Sequence, residues 1–412
     1  MTGTLGPIGL SLAYLRRNRL ATGLNLLLLA LGVAAIAGLA LIDAQMQGRL
    51  TRDVAGIDLV VGAKGSPLQL ILSSVYQADV PTGNVPLATL EDLRRNPLVK
   101  QAIPVALGDS YRGFRIVGTT PDYPAHYQAV PAEGRMFAAA MEATVGASVA
   151  RAAGLRVGDT IAGSHGLTPG GEVHAHMPYT IVGILAPTGT VVDRLVLTPV
   201  ESVWAVHDHH HHHDDDGDGD GDHAEVPGTQ PPREVTAILV RYASPLAAAR
   251  LPRAINSESG AQAASPAAEL VRLMSLLGAG LDAFRAIGVL LVLTSALGTF
   301  VALTNALQQR RYDLAVMRSL GASRARIVVQ IGVEALLVSG TGTLAGLALA
   351  HGGLALFATL SPRARDFGLS PWTVVPAELG LLGLAVAVAA VAAALPAIQA
   401  YRTDVARTLA QS

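Results

Sequence analysis

QQRRYDLAVMRSLGASRARIVVQIGVEALLVSGTGTLAG, residues 308–346, decides how the rest of the chain is read. Its first half is short and polar and carries five arginines, Arg310, Arg311, Arg318, Arg324 and Arg326. It lies between two apolar runs each long enough to cross a bilayer. It is therefore a connecting loop, and the arginine excess assigns it to the cytoplasmic side. Within it Leu314, Met317 and Leu320 recur at helical spacing, and Gly321-Ala322-Ser323 follows as a helix stop and a new start. A short amphipathic helix at the membrane surface is the expected product. Its apolar face is too small to bury much against lipid, which points to a protein partner on the cytoplasmic side. An ordinary charged connector is the other reading of the same residues.

Working outward, the flanking runs at 283–307 and 327–350 are joined by two more, 20–42 and 374–398, giving four predicted crossings. Residues 1–19 place Ile8, Leu12 and Leu15 on one face with Arg16, Arg17 and Arg19 behind them, an elbow helix lying on the cytoplasmic surface. The connecting loop is assigned to 308–326, a short outer loop to 351–373 and a cytoplasmic tail to 399–412. Arg402 and Arg407 agree with that orientation, while Arg363 and Arg365 in the outer loop weaken it. A cleavable signal peptide is the rival reading of 20–42, although the apolar core is longer than such signals use.

Half of the 412 residues are hydrophobic and only 15% are charged, the composition of an integral membrane protein with a sizeable aqueous domain. Cysteine is absent, so no disulfide staples an exported domain and a soft metal site must use histidine and carboxylate. The formal charge of −1 gives no sign of a nucleic-acid partner. Residues 43–280 hold no spanning run and read as a folded extracytoplasmic domain. Strands are expected at Ile103 to Val105, Phe114 to Val117, YTIVGIL (179–185), RLVLTPV (194–200) and EVTAILVRY (234–242). TVGASVARAAGLRVGDT, residues 144–160, reads as a small-residue helix ending in a glycine turn. The alanine-rich stretch 244–276 reads as helix. Gly62-Ala63-Lys64-Gly65-Ser66 has some likeness to a phosphate loop but lacks the first glycine at the required spacing.

The ordered set Arg318, Leu320, Gly321, Ala322, Glu334, Gly340 and Gly346 resembles the signature of the FtsX/MacB/LolC family of ABC-transporter permeases. The segments around 144–160 and 179–185 are similar to the periplasmic core domain of MacB-type members, and LPAIQAYRTDVARTLA (395–410) is similar to the family's closing segment. The resemblance implies four transmembrane helices with a large α+β extracytoplasmic domain between the first and second. It also implies a bacterial inner-membrane location and a non-catalytic role. No G-x-x-x-x-G-K-[ST] motif occurs, so ATP would be bound and hydrolysed by a separate cytoplasmic ATPase subunit. That subunit would dock on Arg310, Arg311, Leu314, Met317, Arg318, Leu320 and Gly321. A second permease subunit, as a homodimer, would complete a two-fold assembly. Further expected partners are a periplasmic adaptor, a lipoprotein or a metal-binding protein, with membrane lipid around the helices.

VHDHHHHHDDDGDGDGDHAEVPG, residues 206–228, departs from a generic permease. Seven of the twelve histidines, His207, His209, His210, His211, His212, His213 and His223, fall here, and the loop 207–225 holds eight acids, among them Asp214, Asp216 and Asp218. Imidazole suits zinc, nickel or copper, and clustered carboxylates attract any divalent cation; zinc is the first expectation. Interleaved glycine and dense charge predict disorder without metal. An EF-hand-like match at Asp214, Asp216, Asp218, Gly219 and Glu225, and a merely solvated acidic loop, are the alternatives. His174 and His176 would share one face if extended, with His165 near them, or form a surface pair that binds nothing. His126 and His351 read as isolated.

Glu334 lies about two turns into the third run, where an unpaired carboxylate costs roughly 2.5–3.5 kcal/mol to insert. It should therefore face a helix partner, with Gln330, Asn305 or a loop arginine as candidates, in a structural coupling role rather than a proton relay. Gly342-x-x-x-Gly346 predicts close helix packing, within the subunit or across a dimer. The functional expectation is ATP-driven motion transmitted to the outer domain, for export or extraction of an envelope substrate linked to metal handling. Two competing classes stay open: a regulatory module that activates an envelope enzyme, and a secondary metal carrier, which would need ligands within the membrane.

Overall fold

The computed structural model describes residues 9, 11, 19–166, 176–208, 233–257, 260–309, 319, 323–360 and 369–402. The chain divides into two compact units, one formed by residues 47–276 and the other by the segments before and after it. The elbow helix expected at 1–19 lies almost wholly outside the described residues, and the helix α1 (Arg19–Val54) is unbroken over 36 residues. It continues past the apolar run at 20–42 because AQMQGRL, although too polar for lipid, consists mostly of good helix formers.

The 47–276 unit then begins with β1 (Leu59–Ala63) and α2 (Pro67–Ser74). Between them the glycine-rich turn is spent on its own fold. Ser66 Oγ accepts from the Gln69 amide as the N-cap, Pro67 takes the first helical position, and the Gly65 amide donates to Gln262 Oε1. That arrangement engages the Gly65 and Gln69 amides within the domain's own fold. A Cβ on Gly62 would lie 2.4 Å from Leu70 Cδ1, so α2 packs directly onto the strand.

The chain continues through β2 (Val85–Pro86), α3 (Leu87–Arg95), β3 (Val99–Tyr111), β4 (Phe114–Thr119), α4 (Asp122–His126), β5 (Pro131–Gly134) and β6 (Glu142–Val145). Next come α5 (Ala147–Ala153), β7 (Thr160–Ile161), β8 (Ser164–His165), β9 (Tyr179–Leu185), a 3-10 turn at Val191–Arg194 and β10 (Val196–Pro199). α5 ends as its sequence requires, on Gly154 at φ +70, the left-handed cap. The unit closes with α6 (Val200–Asp208), β11 (Glu234–Val235), β12 (Ala237–Tyr242), α7 (Pro245–Ser257) and β13 (Ala261–Ala264).

The strands form one mixed sheet in the order β13-β1-β12-β3-β4-β10-β6-β9-β5, with β7 added on β9 and β8 on β3; β2 and β11 pair separately. The β10–β4 and β6–β9 pairs are parallel. Alternate residues serve opposite faces. Val60, Ile103, Val105 and Leu239 join Leu70, Ile71 and Tyr123 in one core. Leu59, Val61, Ile238 and Val240 join Leu90, Leu93, Val203 and Leu251 in the other. Helices therefore cover both faces of this half of the sheet, which is why its strands read as nearly continuous apolar runs.

The alanine-rich stretch 244–276 is corrected by the structure, since it divides into α7, β13 and the first turns of the next helix. Alanine favours helix, but the pairing of β13 with β1 overrides it. The Asn256 side chain also holds the Ala263 backbone at both its N–H (2.7 Å) and its carbonyl (3.2 Å).

The second unit contains α1 up to Met46, most of α8 (Pro266–Gln309), α9 (Arg324–Leu360) and α10 (Pro376–Arg402). These four helices are long and apolar enough to cross a membrane. α9 continues to Leu360, so His351 sits within a helix and not at the start of an outer loop. Its buried residues, Ile327, Ile331, Glu334, Ala335, Val338, Gly342, Gly346, Ala350 and Leu354, form a stripe along one side.

Candidate functional site

The ATPase-docking residues expected from the sequence, Arg310, Arg311, Leu314, Met317, Arg318, Leu320 and Gly321, lie outside the described residues. The structure does show the new helix start that follows them. Ser323 Oγ and Ser323 O both accept from the Arg326 amide, at 3.3 and 3.1 Å, and α9 begins at Arg324. The Arg324 guanidinium lies 5.3 Å from the centre of the Tyr401 ring, joining the start of α9 to the end of α10.

His209, His210, His211, His212, His213, Asp214, Asp216, Asp218 and His223 lie outside the described residues, as does His174. His207 falls on the last turn of α6, and His176 lies in an exposed turn before β9. Among the described residues no group of three or more His, Asp or Glu side chains could hold a metal ion.

Within the helical unit the small residues make the seams. A Cβ on Gly346 would stand 2.7 Å from both Ala30 O and Val33 Cβ, and one on Gly342 would stand 2.8 Å from Leu29 Cδ2. The Gly342-x-x-x-Gly346 pair thus brings α9 against α1 of the same chain. Gly32 and Gly288 do the same for α1 and α8, with a Cβ on Gly32 only 2.9 Å from Gly288 O. Ser295 Oγ donates to Asn25 O at 2.9 Å across that seam. Glu334 is 6% exposed on the buried stripe of α9, and one turn earlier Gln330 donates to Ser11 Oγ at 2.6 Å.

The far ends of these helices carry polar ties that the sequence did not announce. Arg285 of α8 bonds Asp43 of α1 at 3.0 Å and Asp282 at 2.9 Å. Gln45 of α1 exchanges two hydrogen bonds with the Ser370 backbone, at 3.1 and 2.7 Å. His351, read from sequence as isolated, instead has ring nitrogens against Pro371 O and Glu378 Oε2. Glu378 also accepts from the Val375 amide at 3.0 Å.

A second polar cluster belongs to the 47–276 unit and surrounds the last turn of α1. The carbonyls near a helix C-terminus lack intrahelical donors, and here side chains serve them. Tyr127 Oη donates to Asp53 O at 3.0 Å and the His126 ring meets Ala55 O, while Tyr76 Oη donates to Leu50 O at 3.3 Å. The Asp53 carboxylate, 1% exposed, accepts from the Val191 amide at 2.7 Å. Val191 opens the 3-10 turn between β9 and β10. That turn is closed by Asp193, whose oxygens accept from the Thr188 amide, the Thr188 hydroxyl and the Gly189 amide, each at 2.8 Å. Tyr123, fully buried, packs edge-on against Tyr127 with ring centres 5.3 Å apart.

Burial pushes the Asp53 carboxyl up to about 6, against the opposing pull of the Val191 N–H and of Arg194, Arg49 and Arg52. Burial likewise raises the phenols of Tyr76, Tyr123 and Tyr127, with the Asp53 charge adding to the effect. Sequence reasoning missed this cluster because Asp53 and Val191 are 138 positions apart. No local signal marked it, since Asp53 lies beyond the predicted span at 20–42 and Thr188-Gly189-Thr190 reads from sequence only as a turn.

Comparison with known proteins matches two families in succession along the chain. Residues 22–258, more than half of the chain, match the MacB-like periplasmic core domain, and residues 285–405 match the FtsX-like permease C-terminal family. Among solved structures, the periplasmic region of MacB from Actinobacillus actinomycetemcomitans is 9% identical. That match covers 54% of this chain and 95% of that one, with a TM-score of 0.34. The extracellular domain of the noncanonic ABC-type transporter YknZ from Gram-positive bacteria is 13% identical, covering 50% of this chain and 98% of that one, with a TM-score of 0.30. Comparison with curated proteins gave no match. With a MacB-like core domain inserted ahead of an FtsX-like permease segment, and four helices fit to span a membrane, the chain belongs to the FtsX/MacB-type permeases of ABC transporters.

Proposed function

We propose that this permease converts ATP hydrolysis by a separate cytoplasmic ATPase into movement of its MacB-like domain, for export or extraction of a substrate handled outside the inner membrane. The observation that carries this reading is the length of the two helices bordering that domain. α1 has 36 residues and α8 has 44, about 54 and 66 Å of continuous helix at 1.5 Å per residue, against a hydrocarbon core of about 30 Å. Crossing alone needs no such excess, whereas a stiff transmitting element does. The segment from Arg310 to Gly321 is the docking face for the ATPase in this reading, and a second copy of the chain completes a two-fold assembly. Glu334, held within the helical unit, keeps α9 in register with its neighbours.

The tract at His207, His209–His213, Asp214, Asp216, Asp218 and His223 is proposed to take a divalent metal, zinc first. Its donor set of imidazole nitrogens and carboxylate oxygens suits that ion, and binding would link cargo or control to metal supply. His174 and His176 would add ligands.

The test interrupts α1. A Gly-Pro-Gly insertion after Met46 is compared with wild type in the full chain bound to its ATPase. Spin labels at Arg94→Cys on α3 and Glu133→Cys on β5 report the shape of the domain, with no native cysteine to interfere. ATP with vanadate should change the label distance in wild type and not in the insertion variant. An equal change in both would refute transmission through α1.

A further inference from the structure

The geometry points to Asp53 as the positioning residue through which α1 moves the sheet of the MacB-like domain, by bonding its last turn to the connection between β9 and β10. This rests on the transmission reading above and says where within the domain the motion is delivered.

The end of α1 is fixed at several points. Tyr127 and Tyr76 hold carbonyls of its final residues and His126 meets the carbonyl of Ala55 just past its end, and all three side chains come from outside the sheet, in or beside α2 and α4. The Asp53 carboxylate differs in what it reaches. Its acceptor bond to the Val191 amide, at 2.7 Å, leads straight into the segment joining β9 to β10. β10 lies inside the sheet between β4 and β6, so a displacement arriving there is felt by both neighbours. The turn cannot absorb the motion by flexing, because Asp193 ties three of its donors together. It cannot slide either: a Cβ on Gly146 would sit 2.3 Å from Val192 O, which shows how tightly the β6–α5 junction is wedged against it.

The chemistry of the group supports a mechanical role over a purely stabilising one. A buried carboxylate is a poor means of stabilising a domain, since desolvation offsets much of what its partners contribute. A charge-assisted hydrogen bond is nonetheless roughly twice as strong as a neutral one, so an ionised Asp53 grips the Val191 amide harder than any neutral residue of its size. The charged and titratable groups facing it are Arg49 and Arg52 on its own helix, Arg194 and Asp193 on the turn, and the phenols of Tyr76, Tyr123 and Tyr127. Net positive charge from the arginines favours the ionised form at neutral pH.

The experiment uses the full chain with its ATPase and the labels at positions 94 and 133, comparing Asp53→Ala, Asp53→Asn, Asp53→Glu and the Gly-Pro-Gly insertion. Circular dichroism and Trp204 fluorescence check that the domain is folded. The ATP-driven distance change should be at least twofold smaller in Asp53→Ala and intermediate in Asp53→Asn, and be restored in part by Asp53→Glu. In wild type it should shrink between pH 7 and pH 5, while Asp53→Asn stays flat, a response that loss of packing alone would not produce. If the insertion abolishes the change but folded Asp53→Ala and Asp53→Asn behave as wild type at both pH values, the Asp53 assignment is overturned and transmission through α1 survives. If the insertion variant moves as wild type does, both fail. Should Asp53→Ala not fold, Asp53→Asn and its pH profile decide the matter alone.

Discussion

Replacing Asp53 by asparagine should stabilise the 47–276 unit at neutral pH while weakening its coupling. Burial in the folded protein raises the Asp53 carboxyl from 3.8 to about 6, and a tenfold change in proton affinity is worth about 1.4 kcal/mol. A group whose pKa is higher in the folded state contributes stability that is fully present below the unfolded value and is lost as pH rises through the folded one. At pH 7 the ionised side chain therefore costs about 3 kcal/mol relative to its protonated form. Asparagine keeps the acceptor for the Val191 amide and removes that cost. Allowing about 1 kcal/mol for an amide N–H buried without a good acceptor, the net gain is about 2 kcal/mol at pH 7, falling toward zero or below near pH 4. For a unit of this size it corresponds to a rise in Tm of about 4–8 °C. The assay is urea unfolding of the full chain in detergent, followed by Trp204 in a Trp372→Phe background. Trp204 donates to Glu234 O at 2.7 Å and stacks under Arg233, so its emission reports this unit. An Asp53→Asn protein less stable than wild type at pH 7, or a difference that ignores pH, would show that attraction to Arg194 and Arg49 outweighs burial and would refute the reasoning.

Gly346→Ala should separate α9 from α1, because the added carbon meets Ala30 O at 2.7 Å, at a cost of about 1–3 kcal/mol. Gly340→Ala, with nothing within 4 Å of its new carbon, should be neutral or slightly stabilising; thermal unfolding in detergent compares the two. Alanine at Arg318 or Leu320 should remove the ATP-driven distance change between positions 94 and 133 while leaving Trp204 emission unchanged, and a coupled variant would exclude those residues from docking. Zinc titrated into the full chain should bind at least tenfold more weakly once residues 207–223 are deleted, and equal affinity in both would remove the tract from the account.

The membrane helices were legible because lipid demands long uncharged runs, which few other structures need. Their true ends were not. Residues 43–54 are polar and helical at once, so hydropathy marks where α1 can meet lipid and is silent on where its hydrogen bonding stops. In the inserted domain YTIVGIL coincides with β9, since its β-branched residues fit a strand buried on alternate faces. β13 was hidden in alanine, whose propensity opposes the state that pairing with β1 imposes. Polar clusters were the least legible features. His351 finds Pro371 and Glu378 only because α9 and α10 run side by side, and Asp53 meets Val191 only after the sheet has formed. Glycine pairs were intermediate: the spacing of Gly342 and Gly346 announced a close approach, and only the fold names α1 as the partner.

The central claim requires the arginine-rich segment and the MacB-like domain to lie on opposite sides of the membrane. Single cysteines at Arg318 and Glu133, introduced separately into this cysteine-free chain, can be probed with a membrane-impermeant maleimide in spheroplasts. The account predicts that position 133 is labelled at once and position 318 only after the membrane is permeabilised. Labelling of both before permeabilisation would leave the segment with no cytoplasmic ATPase to meet and would contradict it.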